Sequence, residues 1–246
     1  MIDALSENKN CHGLKDVDQQ IPWPHLMKQN MCFTSGRFDQ SIVCEATIAS
    51  LTQSLPESYF SSVKSRRAEY LAGRMCAADA INRLLGCWLT PGSSISGAPI
   101  WPEGVVGSLS HSDHDVASVV MSAYGQLKGI GLDLEQIVPY DQIDALMDLV
   151  LLPDERKRFV VKELSRWLQR INTSMVFSLK ESLFKALYPL VGKLFYFDAA
   201  EVLNCTLGGL AYLQVIDNLS PSYGHGFQAC GYSCLHRGNI LTIVYV

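Results

Sequence analysis

No stretch of this 246-residue sequence approaches the roughly 20 uninterrupted apolar residues that cross a bilayer, so no membrane span is expected. Positive charge is not in excess either. Lys and Arg total 20 against 24 Asp and Glu, for a formal net charge of -4. That balance argues against a general nucleic-acid coat, while leaving room for a local basic patch. The eight cysteines, at positions 11, 32, 44, 76, 87, 205, 230 and 234, form no C-x-x-C pair. A chain this long needs no disulfide staples, so reduced thiols and a cytoplasmic setting are expected. Cys230, Cys234 and His236 have metal-ligand chemistry, but no second cluster has matching spacing. The opening "MIDALSENKN" lacks a basic segment followed by an apolar one, so no secretory signal is expected. There is no low-complexity segment and no detectable internal repeat.

What is present is 48% hydrophobic residues, enough to core one large domain or two small ones. Residues 1 to about 30, with "IPWPH", read as an extended lead-in. A helix is predicted from Pro56 to about Leu85, where Leu71, Met75, Ala78 and Leu85 recur at helical spacing and Gly86 stops it. A Pro-, Gly- and Ser-rich loop, "TPGSSISGAPIWPEG", follows. Strands are predicted from Val105, Val116 and Leu127, several helices from Asp141 to Leu187, and four strands in the tail. Pro153 is placed to open one of those helices. Helix then strands, repeated, predicts an α+β protein of two comparable halves, 1–125 and 126–246.

Four motifs carry chemistry. In "GIGLDLEQI", alternation along a strand puts Gly129, Gly131, Asp133 and Glu135 on one face and Ile130, Leu132 and Leu134 on the other. Two carboxylates about 7 Å apart repel unless a cation or water separates them, and oxygen-only ligands suit Mg²⁺. The neighbouring glycines suggest open space for a ligand. The bland alternative is a strand with one solvated face. In "FSLKESLFKAL", helical geometry puts Ser178, Glu181, Ser182 and Lys185 on one polar side, opposite Val176, Leu179, Leu183 and Leu187. Glu181 and Lys185 could be no more than an exposed i,i+4 ion pair. Lys180 interrupts the apolar arc, which suggests a head that reaches out or snorkels. "KSRRAEYLAGR" concentrates Lys64, Arg66, Arg67 and Arg74 in eleven residues, a pattern that suits phosphate or merely a solvated basic face. "GSLSHSDHD" offers Ser110 and His111 after a short strand as phosphate partners, and its His and Asp residues could also form a metal box.

The ordered set "RRAEYLAGR", "APIWPEGVVGSLSH", "GLDLE" and "FSLKESLFKA" resembles the Sfp-type 4′-phosphopantetheinyl transferases, particularly the enterobactin synthase component D subgroup. The resemblance runs from about residue 56 to 187. It implies two similar α/β halves related by a pseudo-twofold, with coenzyme A in a cleft between them. It implies that Asp133, Glu135 and Glu181 hold Mg²⁺, that Lys185, Ser110 and His111 contact phosphate, and that Lys64, Arg66, Arg67 and Arg74 supply the 3′-phosphate and adenine end. Glu155 matches an acidic position at the start of a family helix. Some relatives carry Lys where Ala98 stands here, so one phosphate contact is expected to shift to the arginine cluster. The implied reaction moves the phosphopantetheine arm of coenzyme A to a serine of an apo carrier protein, with Glu181 taking the serine proton, preferably through water. A monomer serving siderophore, non-ribosomal peptide, polyketide or lipid synthesis is the expected setting. The rivals are a metal-dependent phosphohydrolase built on "HSDHD" and a non-catalytic nucleotide-binding protein.

Overall fold

The structure, a computed structural model, describes residues 14–18, 31–95 and 97–246. Most of the expected lead-in lies outside those residues. Contacts divide the chain into two compact units that meet in sequence at Tyr124 and Gly125.

In the first unit, β1 (Lys15–Asp18) and β2 (Met31–Arg37) are followed by the short helices α1 (Glu45–Ala49) and α2 (Glu57–Ser61). Next come the long helix α3 (Lys64–Leu85), the two-residue strands β3 (Gly92–Ser93) and β4 (Pro99–Ile100), and the hairpin β5 (Val105–Ser112) and β6 (Asp115–Ser122). The antiparallel sheet has the order β1-β2-β6-β5. The predicted single helix from Pro56 is two. The Ser61 and Ser62 hydroxyls both donate to the Ser58 carbonyl, at 3.2 and 2.7 Å, competing with the backbone where α2 ends. Gly86 closes α3 in the left-handed region at φ 73°. The buried face of α3 is mostly small: Ala68, Ala72, Cys76 and Ala80 lie with Leu71, Met75 and Ile81 over β2 and β6.

The second unit begins with β7 (Ile130–Glu135). It continues through α4 (Ile143–Val150), α5 (Pro153–Phe159) and the long α6 (Arg166–Val191) to β8 (Ala200–Cys205), β9 (Gly209–Val215), β10 (Gln228–His236) and β11 (Asn239–Tyr245). Its antiparallel sheet has the order β7-β11-β10-β9-β8. Val176, Leu179, Leu183 and Leu187 of α6 are fully buried with Leu213, Ile240 and Val244. The α+β class therefore holds, and each unit has one long helix on an antiparallel sheet.

Candidate active site

The first strand of the second unit and its long helix are locked by two glycines. A Cβ at Gly131 would collide with the Ser182 carbonyl oxygen and come within 2.7 Å of the Ala186 nitrogen. One at Gly129 would strike the Ala186 carbonyl. These glycines therefore do not leave space for a ligand, contrary to the expectation from their neighbours. They let the α6 backbone press against β7 on the face that carries Asp133. Ser178 and Ser182, expected on a polar outer side, are fully buried and bond Thr242 on β11 at 2.8 Å each. Small hydroxyls allow the close approach while satisfying one another.

That approach assembles the charged cluster. Asp133 is only 2% exposed, so its carboxylate does not lie on a solvated strand face. Lys185 donates to Asp133 Oδ1 at 2.7 Å and to the Leu132 carbonyl at 3.1 Å. Lys185 thus reaches across to the strand and closes a contact 52 residues apart in sequence. A bare i,i+4 surface pair with Glu181 does not describe it. Glu135 sits at the strand end. Burial, then the Asp133 charge, push its carboxyl up to about 7, against the pull of Lys185, with Glu181 adding to the rise. Glu181 is raised as well, first by burial, then by Asp133, with Lys185 opposing. Three carboxylates and one ammonium therefore share one field in this unit.

Among the described residues no three His, Cys, Asp or Glu side chains are gathered as a ready metal cage. Yet Mg²⁺ takes only one or two protein carboxylates, completing its shell with phosphate oxygens and water. Hard oxygen donors, with Glu135 and Glu181 raised in proton affinity by neighbouring carboxylate charge, are the chemistry such an ion relieves. The donor set fits.

Lys180 corrects another expectation. It is 3% exposed and its ammonium spends all three donors inside: on Glu155 Oε2 at 2.7 Å and on the Val150 and Phe197 carbonyls at 2.9 Å. Glu155 in turn accepts from the Val202 and Leu152 amides. This buried pair ties α4, α5, α6 and β8 together and does not reach solvent.

In the first unit the expected phosphate residues separate into two groups. Ser110 and His111 lie near the end of β5, at the edge of its sheet. Arg66 Nη1 is 3.4 Å from His111 Nε2 and donates to Glu69 Oε2 at 2.8 Å. Lys64 is exposed on the first turn of α3, and Arg67 lies over the Tyr59 ring at 5.9 Å. Arg74 turns inward. It is 4% exposed, stacks over Tyr70 at 4.5 Å and donates to Ser93 Oγ at 2.8 Å, bracing the loop that carries β3. Sequence reasoning missed Glu69, although its spacing from Arg66 in "RRAE" was the available signal. The "HSDHD" stretch is the β5–β6 turn, with Asp113 at φ 51°. His114 packs on Phe38 with ring centroids 6.5 Å apart.

Two family models match in succession. The 4′-phosphopantetheinyl transferase N-terminal domain matches residues 56–121, and the 4′-phosphopantetheinyl transferase superfamily matches 129–226, the stretch holding β7 and α6. The chain belongs to the 4′-phosphopantetheinyl transferase superfamily. Relatives include the 4′-phosphopantetheinyl transferase Npt of Nocardia iowensis, 34% identical over 57% of this chain and 60% of its own. The 4′-phosphopantetheinyl transferase Svp of Streptomyces mobaraensis is 35% identical over 57% of this chain and 56% of its own. Enterobactin synthase component D of Salmonella typhi is 32% identical over 59% of each. The match spans less than two thirds of each relative's length.

Proposed function

We propose that this chain transfers the 4′-phosphopantetheine arm of coenzyme A to a serine hydroxyl of an apo carrier protein. The reading rests on the cluster at the β7–α6 contact, where Lys185 meets Asp133 and the Glu135 and Glu181 carboxyls are both raised. It lies within the segment matched by the superfamily model.

In this reading the carrier serine oxygen forms a bond to the phosphorus that bears the pantetheine arm. The bond from that phosphorus to the bridging oxygen breaks, and adenosine 3′,5′-bisphosphate leaves with the electron pair. Glu181 takes the serine proton through an intervening water. Water mediation suits this role, because a carboxylate that also holds a cation is a poor direct base. Lys185, whose side chain keeps 28% of its exposure, places an ammonium where charge grows on the phosphate oxygens. Asp133, Glu135 and Glu181 would hold Mg²⁺, which when bound offsets pyrophosphate charge. In the first unit, Arg66, His111 and Ser110 would take a phosphate, with Lys64 and Arg67 adding positive charge nearby. Arg74 would support the loop, not grip the ligand, because its guanidinium is committed to Tyr70 and Ser93.

The test is incubation with coenzyme A, Mg²⁺ and a panel of apo acyl, aryl and peptidyl carrier domains, read by intact mass. Addition of one phosphopantetheine to a carrier is expected, together with release of the bisphosphate. Absence of labelling across the panel, from a folded protein, would overturn the reading. Hydrolysis by the "HSDHD" residues has no support in the geometry. His114 is packed on Phe38 while His111 lies beside Arg66 and Glu69.

A further inference from the structure

Glu69 has no part in the reaction described so far, yet it sits among the phosphate residues of the first unit. Its Oε2 accepts from Arg66 Nη1 at 2.8 Å and lies 3.7 Å from His111 Nε2. Arg66 and His111 are themselves 3.4 Å apart at those same nitrogens. One carboxylate oxygen therefore sits against the guanidinium and beside the imidazole, on the side of the pair that an oxygen of a phosphate would approach. Glu69 is fixed to α3 one turn from Arg66, so it shares the helix face and is always at hand. Its side chain is 28% exposed, so it can swing out. Carboxylate and phosphate oxygens accept the same charge-assisted hydrogen bonds, but they repel each other when both are ionised.

We propose that Glu69 is a built-in competitor for phosphate at Arg66 and His111, which sets the affinity of that subsite for phosphorylated ligand. This rests on the transferase reading for the identity of the ligand. In the free protein Glu69 accepts from Arg66 and lies within ion-pair range of His111. A phosphate monoester must displace it, and it returns when the phosphate leaves. The same competition acts on coenzyme A and on the bisphosphate product, so it weakens ground-state binding without touching the chemical step. Interactions equal in ground and transition states change KM and not kcat. Product held by the same phosphate group would otherwise occupy the site after transfer.

Calorimetric titration with adenosine 3′,5′-bisphosphate tests this without requiring turnover. Glu69→Gln keeps an acceptor for Arg66 but removes the charge. The variant is expected to bind the bisphosphate about tenfold more tightly, a change of about 1.4 kcal/mol. The gain should be absent for adenosine, which lacks phosphate. In carrier labelling, KM for coenzyme A should fall and inhibition by the bisphosphate should strengthen. Unchanged or weaker binding by Glu69→Gln, with a parent-like melt, would overturn the proposal and make Glu69 an aligner of Arg66. A second variant, Glu69→Ala, removes the acceptor as well. Tightening in both variants isolates charge competition, whereas weakening in both identifies alignment. If the parent protein itself binds neither coenzyme A nor the bisphosphate, the transferase reading fails, a result distinct from failure of the competitor alone.

Discussion

At the scale of single residues, the proposed chemistry turns on how three carboxylates tolerate one another. Glu135 rises from 4.5 to about 7 on folding. Between those values the folded chain keeps a proton that the unfolded chain has released. Its contribution is therefore complete below about 4.5 and is lost as pH climbs through about 7. Glu181, also raised, acts in the same direction. In EDTA, Glu135→Gln should melt higher than the parent at pH 8, with the advantage shrinking towards pH 5. An equal difference at both pH values in thermal melts would show that the gain is not charge relief. Lys185 should behave in the opposite sense. Removing it leaves a nearly buried Asp133 without its ammonium. Lys185→Ala is therefore expected to lower both the melt in EDTA and the labelling rate, the latter by orders of magnitude, since one preorganised charge contact is worth about 3–4 kcal/mol of barrier. Lys185→Arg should rescue the rate poorly, because a planar fork does not replace a point ammonium. A lowered melt with an unchanged rate would remove Lys185 from the chemistry.

At the scale of elements, the decisive contact is the close seat of α6 on β7. Gly131→Ala drives a methyl into the Ser182 carbonyl and the Ala186 nitrogen, both backbone and unable to rotate away. Overpacking of that kind is expected to cost about 3 kcal/mol, at the upper end of its range. It should also lower transfer by shifting Lys185 from Asp133. Denaturant melts and labelling rates measured together check this. A stable variant with normal activity would mean that the strand yields freely. This contact also marks the limit of what the sequence disclosed. The D-x-E strand, the K-E-S-x-x-K helix and their apolar faces were legible from periods of two and 3.6 residues. The glycines and serines were misread because small residues look the same whether they open a site or admit a helix backbone. Lys180 was misread for a related reason. A lysine in an apolar arc usually snorkels, and only the fold brings Glu155 to its ammonium from 25 residues away. The break between α2 and α3 was lost in a continuous run of helix-compatible residues.

At the scale of the whole molecule, two compact units each carry a different kind of charge chemistry. The first offers fixed cations and His111; the second offers carboxylates that, in the proposed function, would hold a divalent ion. A ligand that binds only the folded state raises the melt by mass action, in proportion to the logarithm of its concentration over its Kd. Coenzyme A should therefore stabilise the protein in two separable parts. Magnesium should enlarge the shift in the parent, because in the proposed function Asp133, Glu135 and Glu181 would repel uncompensated pyrophosphate. Asp133→Asn should enlarge the magnesium-free shift, by removing one repelling charge, and lose most of the magnesium-dependent increment. Arg66→Ala and His111→Ala should do the reverse, reducing the shift in EDTA while leaving a magnesium increment. With 3′-dephospho-coenzyme A the parent should resemble the Arg66→Ala protein if the first unit grips the 3′-phosphate. Thermal melts across this grid of ligand, metal and variant measure each part. Equal loss of both parts in every variant would overturn separate roles for the two clusters, and would return the basic helix to another task such as docking the acidic face of a carrier.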